Sequence, residues 1–227
     1  MLLALFSAGA LADGAGTVMH LSGTLSVQRA DGGVRVLSQK SEVNPGDLLT
    51  TQRDSYAQIN FADGSSMTMR PNTQVRIEQY NFVQDRPQDD NSLLRLVKGG
   101  LRTVTGLVGK RGNQDAYKIG TKMATIGVRG SSGDTIDNSD GDCQGVTPGC
   151  EKLPQGVFHT TYTGSYIMQN EGGTQIIGEG QFGFARDRNT RPALLPGDPG
   201  LILSQLPFTL GVGGGRIQGP SQECVVR

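Results

Sequence analysis

The sequence predicts an all-β protein of short stacked hairpins, closer to a β-roll or β-solenoid than to a sandwich, with an extended C-terminal tail. Three observations predict it. Apolar residues alternate with polar ones in short runs, the two-residue period of a half-buried strand. Glycine-containing turns separate the runs. One hairpin design also occurs twice along the chain.

Taken in order, residues 18–27 carry a strand pattern interrupted at Gly23, with Leu25 and Val27 on one face. Asp31-Gly32-Gly33 turns the chain into a strand over 34–37, and Asn44-Pro45-Gly46-Asp47 turns it again into a strand over 48–51. Ala57, Ile59 and Phe61 alternate with polar residues, Asp63-Gly64 reverses the chain, and Met67 and Met69 repeat the alternation. This is the clearest hairpin signal. Val75 and Ile77 resume the pattern after Pro71-Asn72, and residues 85–92 read as a solvated loop. Strands are predicted over 93–97 and 101–104, parted by Gly99-Gly100, then over 117–119 and 123–128. Further strands are predicted over 157–162, 165–168, 175–177 and 182–185. From Asn189 onward the prolines are too frequent for a central strand.

The repeated design is Gly23 with the strand to Gln28, the turn at Asp31-Gly32-Gly33 and the strand over 34–37. It returns as Gly164 with the strand to Gln169, the turn at Gly172-Gly173 and the strand over 175–177. Hairpins of one design favour stacked β layers.

Glycine occurs 34 times in 227 residues, roughly twice the average usage of about 7%. Lys+Arg and Asp+Glu are both 21, so the formal net charge is zero. That balance removes any electrostatic drive toward nucleic acid or an anionic membrane. There is no Trp, and the scattered Phe and Tyr form no basic stacking platform.

Residues 1–12 form an apolar stretch ending Ala10-Leu11-Ala12, the pattern of a secretory cleavage site, so the mature chain is expected to start near Asp13. No later window is apolar for about 18 residues, so no further membrane span is expected. In an oxidising compartment Cys143 and Cys150, separated by glycines and a proline, are expected to close a loop as a disulfide. Cys224 is left over, as a free thiol, a partner for one of the other two, or an intermolecular link.

Catalytic and ligand patterns fail on inspection. His20 and His159 lie in strand patterns with no nucleophile or base motif nearby, and they have no ligand spacing to the cysteines. The basic stretch 106–113 lacks the glycine and hydroxyl spacing of a phosphate-binding loop and reads as a turn with two solvated cations, Lys110 and Arg111. The acidic run with Asp134, Asp137, Asp140 and Asp142 misses the EF-hand order, because Ile136 stands at the first ligand position. It reads as a solvent-exposed, disulfide-closed insertion; a metal enzyme using Asp140 and Asp142 is the weakest of the functional readings.

Several segments, taken in order, resemble a FecR domain: Gly46-Asp47 with Thr50-Thr51, the run 55–65 through Asp63-Gly64, the run 67–73, and Lys98-Gly99-Gly100-Leu101-Arg102. Residues 124–130, around Gly127, resemble the element that often follows it. The likeness covers roughly residues 43–130, with looser similarity to related exported proteins through Pro199-Gly200. It implies a periplasmic β-rich domain with Gly46, Asp47, Asp63, Gly64, Gly99 and Gly127 as its turn positions. In the family it implies a regulator passing a signal from an outer-membrane transporter to a sigma factor. An anti-sigma region is not expected here, so the domain, its compartment and protein contact are what carry over.

The expected organisation is a signal peptide over 1–12, a FecR-like β domain over 13–130, and a polar insertion over 131–156 holding Cys143 and Cys150. A second hairpin unit over 157–187 and a Pro/Gly-rich tail over 188–227 follow. The expected function is a non-enzymatic interaction module, without cofactor, that binds a protein partner or cell-envelope polymer. The alternatives are a subunit that self-assembles through strand edges and an accessory to transmembrane signalling.

Overall fold

The computed structural model describes residues 14–200 and Leu206. The expected signal peptide, Cys224 and most of the tail beyond Gly200 lie outside the described residues. The described chain is all-β, with only two single-turn 3-10 segments, at Pro87–Asp89 and Cys150–Lys152. Its strands are β1 (Gly16–Ser22), β2 (Leu25–Gln28), β3 (Val34–Leu37), β4 (Glu42–Val43), β5 (Leu48–Thr51), β6 (Tyr56–Phe61), β7 (Ser66–Met69) and β8 (Gln74–Asn81). They continue as β9 (Asn91–Val104), β10 (Tyr117–Gly120), β11 (Thr125–Asp137), β12 (Val157–Asn170), β13 (Gly173–Gly178), β14 (Phe182–Ala185) and β15 (Ala193–Leu195).

All fifteen strands hydrogen-bond into one mixed sheet. Only β9 and β10 run parallel. The long strands β9, β11 and β12 each change neighbours part-way. β9 pairs β8 over its first half and β7 and β11 over its second. β11 passes from β10 to β9, and β12 from β14 to β13. Two wings result. The first runs β3-β2-β5-β8-β9-β10-β11-β12-β13, and the second β4-β1-β6-β7-β9-β11-β12-β14-β15. Both wings bury their inner faces in one cluster, with Leu25, Leu49, Ile77 and Leu94 from the first and Val18, Ile59, Met67 and Leu101 from the second.

The bend between wings has a local cause. Gly99, Gly130 and Gly164 all hold positive φ where β9, β11 and β12 turn. A side chain at Gly164 would also stand 2.9 Å from the Ser131 Cβ. Only glycine accepts both the left-handed backbone and the close approach.

Three expectations change here. Gly99-Gly100 does not separate two strands; it bends one. Gly127 is not a turn but mid-strand in β11, opposite Lys118 and Ile167, where it keeps normal strand backbone between two neighbours. Residues 131–137 are not part of the polar insertion. They continue β11 between β9 and β12, because the sheet and its neighbours satisfy Asp134 and Thr135. The repeated hairpins also find their place: β2–β3 and the second half of β12 with β13 form opposite ends of the first wing.

Candidate functional site

The most concentrated polar chemistry lies on the second wing, where β7, β9, β11 and β12 run side by side. Asp134 on β11 stands directly across from Arg102 on β9. Its Oδ1 accepts the Arg102 Nε–H at 2.8 Å. Its Oδ2 accepts from Arg102 Nη2 at 2.8 Å, Arg70 Nη2 at 3.0 Å and the Tyr162 hydroxyl at 2.6 Å. The Arg102 guanidinium also lies 4.7 Å over the Tyr162 ring. Asp134 and Arg70 are fully buried. Burial pulls the Asp134 carboxyl upward, but the hydrogen bonds from Arg102 and the charges of Arg70 and Arg102 outweigh it and hold it below the ordinary carboxylate range. Its acceptor positions are occupied, so it is a fixed charge rather than a proton carrier.

Behind this network, His159 sits in the interior. Its Nδ1 shares a hydrogen bond with the Thr135 hydroxyl at 3.0 Å, and its ring lies 4.1 Å from that of Tyr166. Burial pushes its pKa down to about 3, against a weaker opposing pull from Asp134. The imidazole is neutral and closed in, a packing residue.

The disulfide-closed loop roofs one side of the network. Cys143 and Cys150 are joined, and with Val146, Ile136 and Phe158 they make a second small buried cluster. A side chain at Gly100 would strike Ile136, Val146 and the Arg70 stem, so the loop closes directly over the arginine. Asp140 and Asp142 face solvent on the far side, and Asp140 pairs with Lys122. The insertion was expected to be solvent-exposed; its inner side is buried because two cysteines and a valine seat it on the sheet.

The turn positions are structural anchors. Asp47 takes the Asn44 N–H at 2.7 Å and an ion pair from Arg29, while the Gly46 N–H reaches the Ile77 carbonyl at 2.7 Å. Asp63 does more than cap its own turn with Gly64. It accepts from the Ser65 N–H and hydroxyl, the Tyr80 hydroxyl and the Val108 N–H, and so ties the β6–β7 turn to the 105–111 loop. The expectation of two solvated cations in that loop holds for Lys110, which stays exposed, and is corrected for Arg111. Arg111 chelates Asp90 and lies 4.6 Å from the Phe82 ring, and Lys110 donates to the Thr105 carbonyl. Gly99 stands 2.4 Å, by its would-be Cβ, from the Thr73 hydroxyl that Gly100 N–H binds.

The open surface is elsewhere. β3 pairs only with β2, and Val34 and Val36 on it are 71% and 70% exposed. Sequence reasoning placed this strand but not its free edge, which depends on what lies beside it. The Arg70–Asp134–Arg102 network was likewise missed. Its one signal was the alternation of Asp134 with Ile136 in a stretch read as loop.

With this geometry in place, residues 47–147 match the family model described as FecR protein. The chain carries a FecR-like domain. The match takes in Asp47, Asp63, the bend at Gly99, and Arg70, Arg102 and Asp134, and it ends between Cys143 and Cys150; Tyr162, His159 and the β3 edge lie outside it. A domain of this type is a non-catalytic sensor module. Among the described residues no three His, Cys, Asp or Glu side chains are grouped to hold a metal. No described helix is long and apolar enough to cross a membrane. Two solved structures of a proposed anti-sigma factor from Parabacteroides distasonis are similar at 13% identity and a TM-score of 0.48, covering 67% of this chain. The chain spans 60% of that protein's length. A solved cell surface anchoring domain is similar at 25% identity over 29% of this chain and 86% of its own, with a TM-score of 0.28. No curated protein matches.

Proposed function

We propose that this protein is an exported, non-enzymatic FecR-domain module, working outside the cytoplasm, that binds a protein partner or a cell-envelope component. One observation carries the reading. The buried carboxylates Asp134 and Asp63 are fully engaged, Asp134 by Arg70 and Arg102 and Asp63 by its neighbouring loop, whereas among the described residues the backbone edge of β3 is open with two valines exposed. Such a surface suits recognition rather than chemistry. Residues 1–12 support export, and the Cys143–Cys150 pair agrees with an oxidising compartment. The first and second hairpins, which terminate one wing, support a roll- or solenoid-like description of the fold.

The test is fractionation of a Gram-negative host expressing the full chain. The expected product is periplasmic or secreted, with an intact mass that places its first residue at Asp13. Full-length protein retained in the cytoplasm overturns the export half of the reading. A second reading, a subunit that assembles through strand edges, draws on the same open edge and on the unassigned Cys224. Size-exclusion chromatography with and without reductant separates the two. A module elutes as a monomer at all concentrations, and an assembling subunit grows with concentration or loses a cross-link on reduction.

A further inference from the structure

The edge of β3 carries more information than its exposure. The Arg29 N–H reaches the Gly33 carbonyl at 2.8 Å at the mouth of the β2–β3 hairpin, and the register runs Val27 opposite Arg35 and Leu25 opposite Leu37. In an antiparallel pair, alternate residues turn both backbone groups to the partner. Arg35 and Leu37 therefore bond β2. Val34 and Val36 turn their N–H and C=O groups outward, where β3 has no neighbour among the described residues. Their side chains add two β-branched surfaces on one face, and exposed Arg35 stands between them on the other.

The opposite end of the same wing is built differently. On β13 the Thr174 carbonyl accepts the Arg191 Nε–H at 3.0 Å, and the Ile176 carbonyl accepts the Gln175 side-chain amide at 2.8 Å. That edge has its outward acceptors occupied, the usual protection against stray pairing. Among the described residues the β3 edge has no such cover.

We propose that β3 docks an extended segment of a different protein, added as a further strand, with an apolar–acidic–apolar triplet facing Val34, Arg35 and Val36. This deepens the interaction-module reading and rests on it. Charge selects the partner. The exposed charges along β3 and its following turn are Arg35 and Lys40, while Asp31 at the preceding turn has an oxygen engaged by the Gly33 N–H. A second copy is a poor occupant. The two-fold register that pairs both valines sets Arg35 against Arg35, and like charges directly opposite destabilise a strand pair. Head-to-tail addition onto β13 meets the occupied carbonyls.

The experiment is a nuclear magnetic resonance titration of the full mature chain with two synthetic peptides, Ser-Thr-Val-Glu-Val-Thr-Ser and Ser-Thr-Val-Lys-Val-Thr-Ser. The Glu peptide is expected to shift the outward amides of Val34 and Val36 and to bind about fivefold more tightly than the Lys peptide. Val36→Pro removes an outward N–H without touching the bonds to β2 and abolishes binding. Arg35→Glu reverses the peptide preference, and because it alters only an exposed charge it decides the matter even if Val36→Pro unfolds. Shifts that map away from β3, equal affinity for both peptides, or no response to Arg35→Glu overturn the assignment of β3. If the Glu peptide then still binds at another surface, the broader reading as an interaction module survives. Concentration-dependent dimerisation of the free protein that shifts the outward amides of Val34 and Val36 overturns the choice of a foreign partner in favour of a second copy.

Discussion

Asp134 shows how one residue can hold a region of sheet together without taking part in chemistry. Removing its charge leaves Arg70 buried beside a neutral group that cannot balance it, and breaking a buried pair from one side is costly. Asp134→Asn is expected to lower the unfolding free energy by about 3–5 kcal/mol, measured by urea denaturation. Replacing both Arg70 and Asp134 by apolar residues of similar volume is expected to recover only the part of that loss due to Arg70, because Arg102 and the Tyr162 hydroxyl still lose their acceptor. A double variant as unstable as the sum of the singles would contradict the pairing. The residue pattern gave only partial warning: Arg70 follows the well-marked strand of Met67 and Met69, but Asp134 falls in a run of acidic and glycine residues that composition assigns to solvent.

At the scale of elements, the loop closed by Cys143 and Cys150 is the one most dependent on a covalent tie. Its seat on the sheet is a small cluster of Ile136, Val146 and Phe158 around the two cysteines. The sequence separation is 7, and closing so short a loop contributes about 2.5 kcal/mol in the chain-entropy account. Cys143→Ser with Cys150→Ser is expected to destabilise the protein by about that amount and to speed amide exchange at Ile136 and Phe158 while β6 and β7 stay protected. Hydrogen exchange of the double variant checks this; uniform loss of protection would show that the loop supports the whole sheet. The cysteine spacing made the tie legible beforehand. The burial of the loop's inner side was not, because its cover is a distant sheet face rather than a local pattern.

For the whole molecule, acid is the expected weak point. His159 is neutral and buried with its pKa pushed down to about 3, whereas in the unfolded chain it titrates near its ordinary value of about 6.5. Below that value the unfolded state binds the extra proton, so stability falls as pH drops from about 6.5 toward 3. The depressed Asp134 adds to the loss at the acid end, as its stabilisation disappears when pH falls through its lowered folded pKa. Asp137, raised by burial, acts in the opposite sense. Denaturation between pH 4 and 6.5 is expected to show a slope shallower by up to about 1.4 kcal/mol per pH unit in His159→Gln than in the unaltered chain. Equal slopes would place the acid sensitivity elsewhere.

The strands and most turns follow from the sequence alone, because a two-residue period and glycine-bearing turns are local properties: Ala57, Ile59 and Phe61, then Asp63-Gly64, then Met67 and Met69 suffice for β6 and β7. The Cys143–Cys150 pairing and the likeness to a FecR domain are local in the same sense, resting on spacing and ordered segments. Tertiary structure decided that Gly99, Gly130 and Gly164 bend three long strands together, that Asp134 meets arginines 64 and 32 positions away in the chain, and that β3 closes one end of its wing without cover among the described residues. These are facts of which strands lie side by side. Pairing across such separations is set by the shared core of the two wings, a property no short window of residues contains.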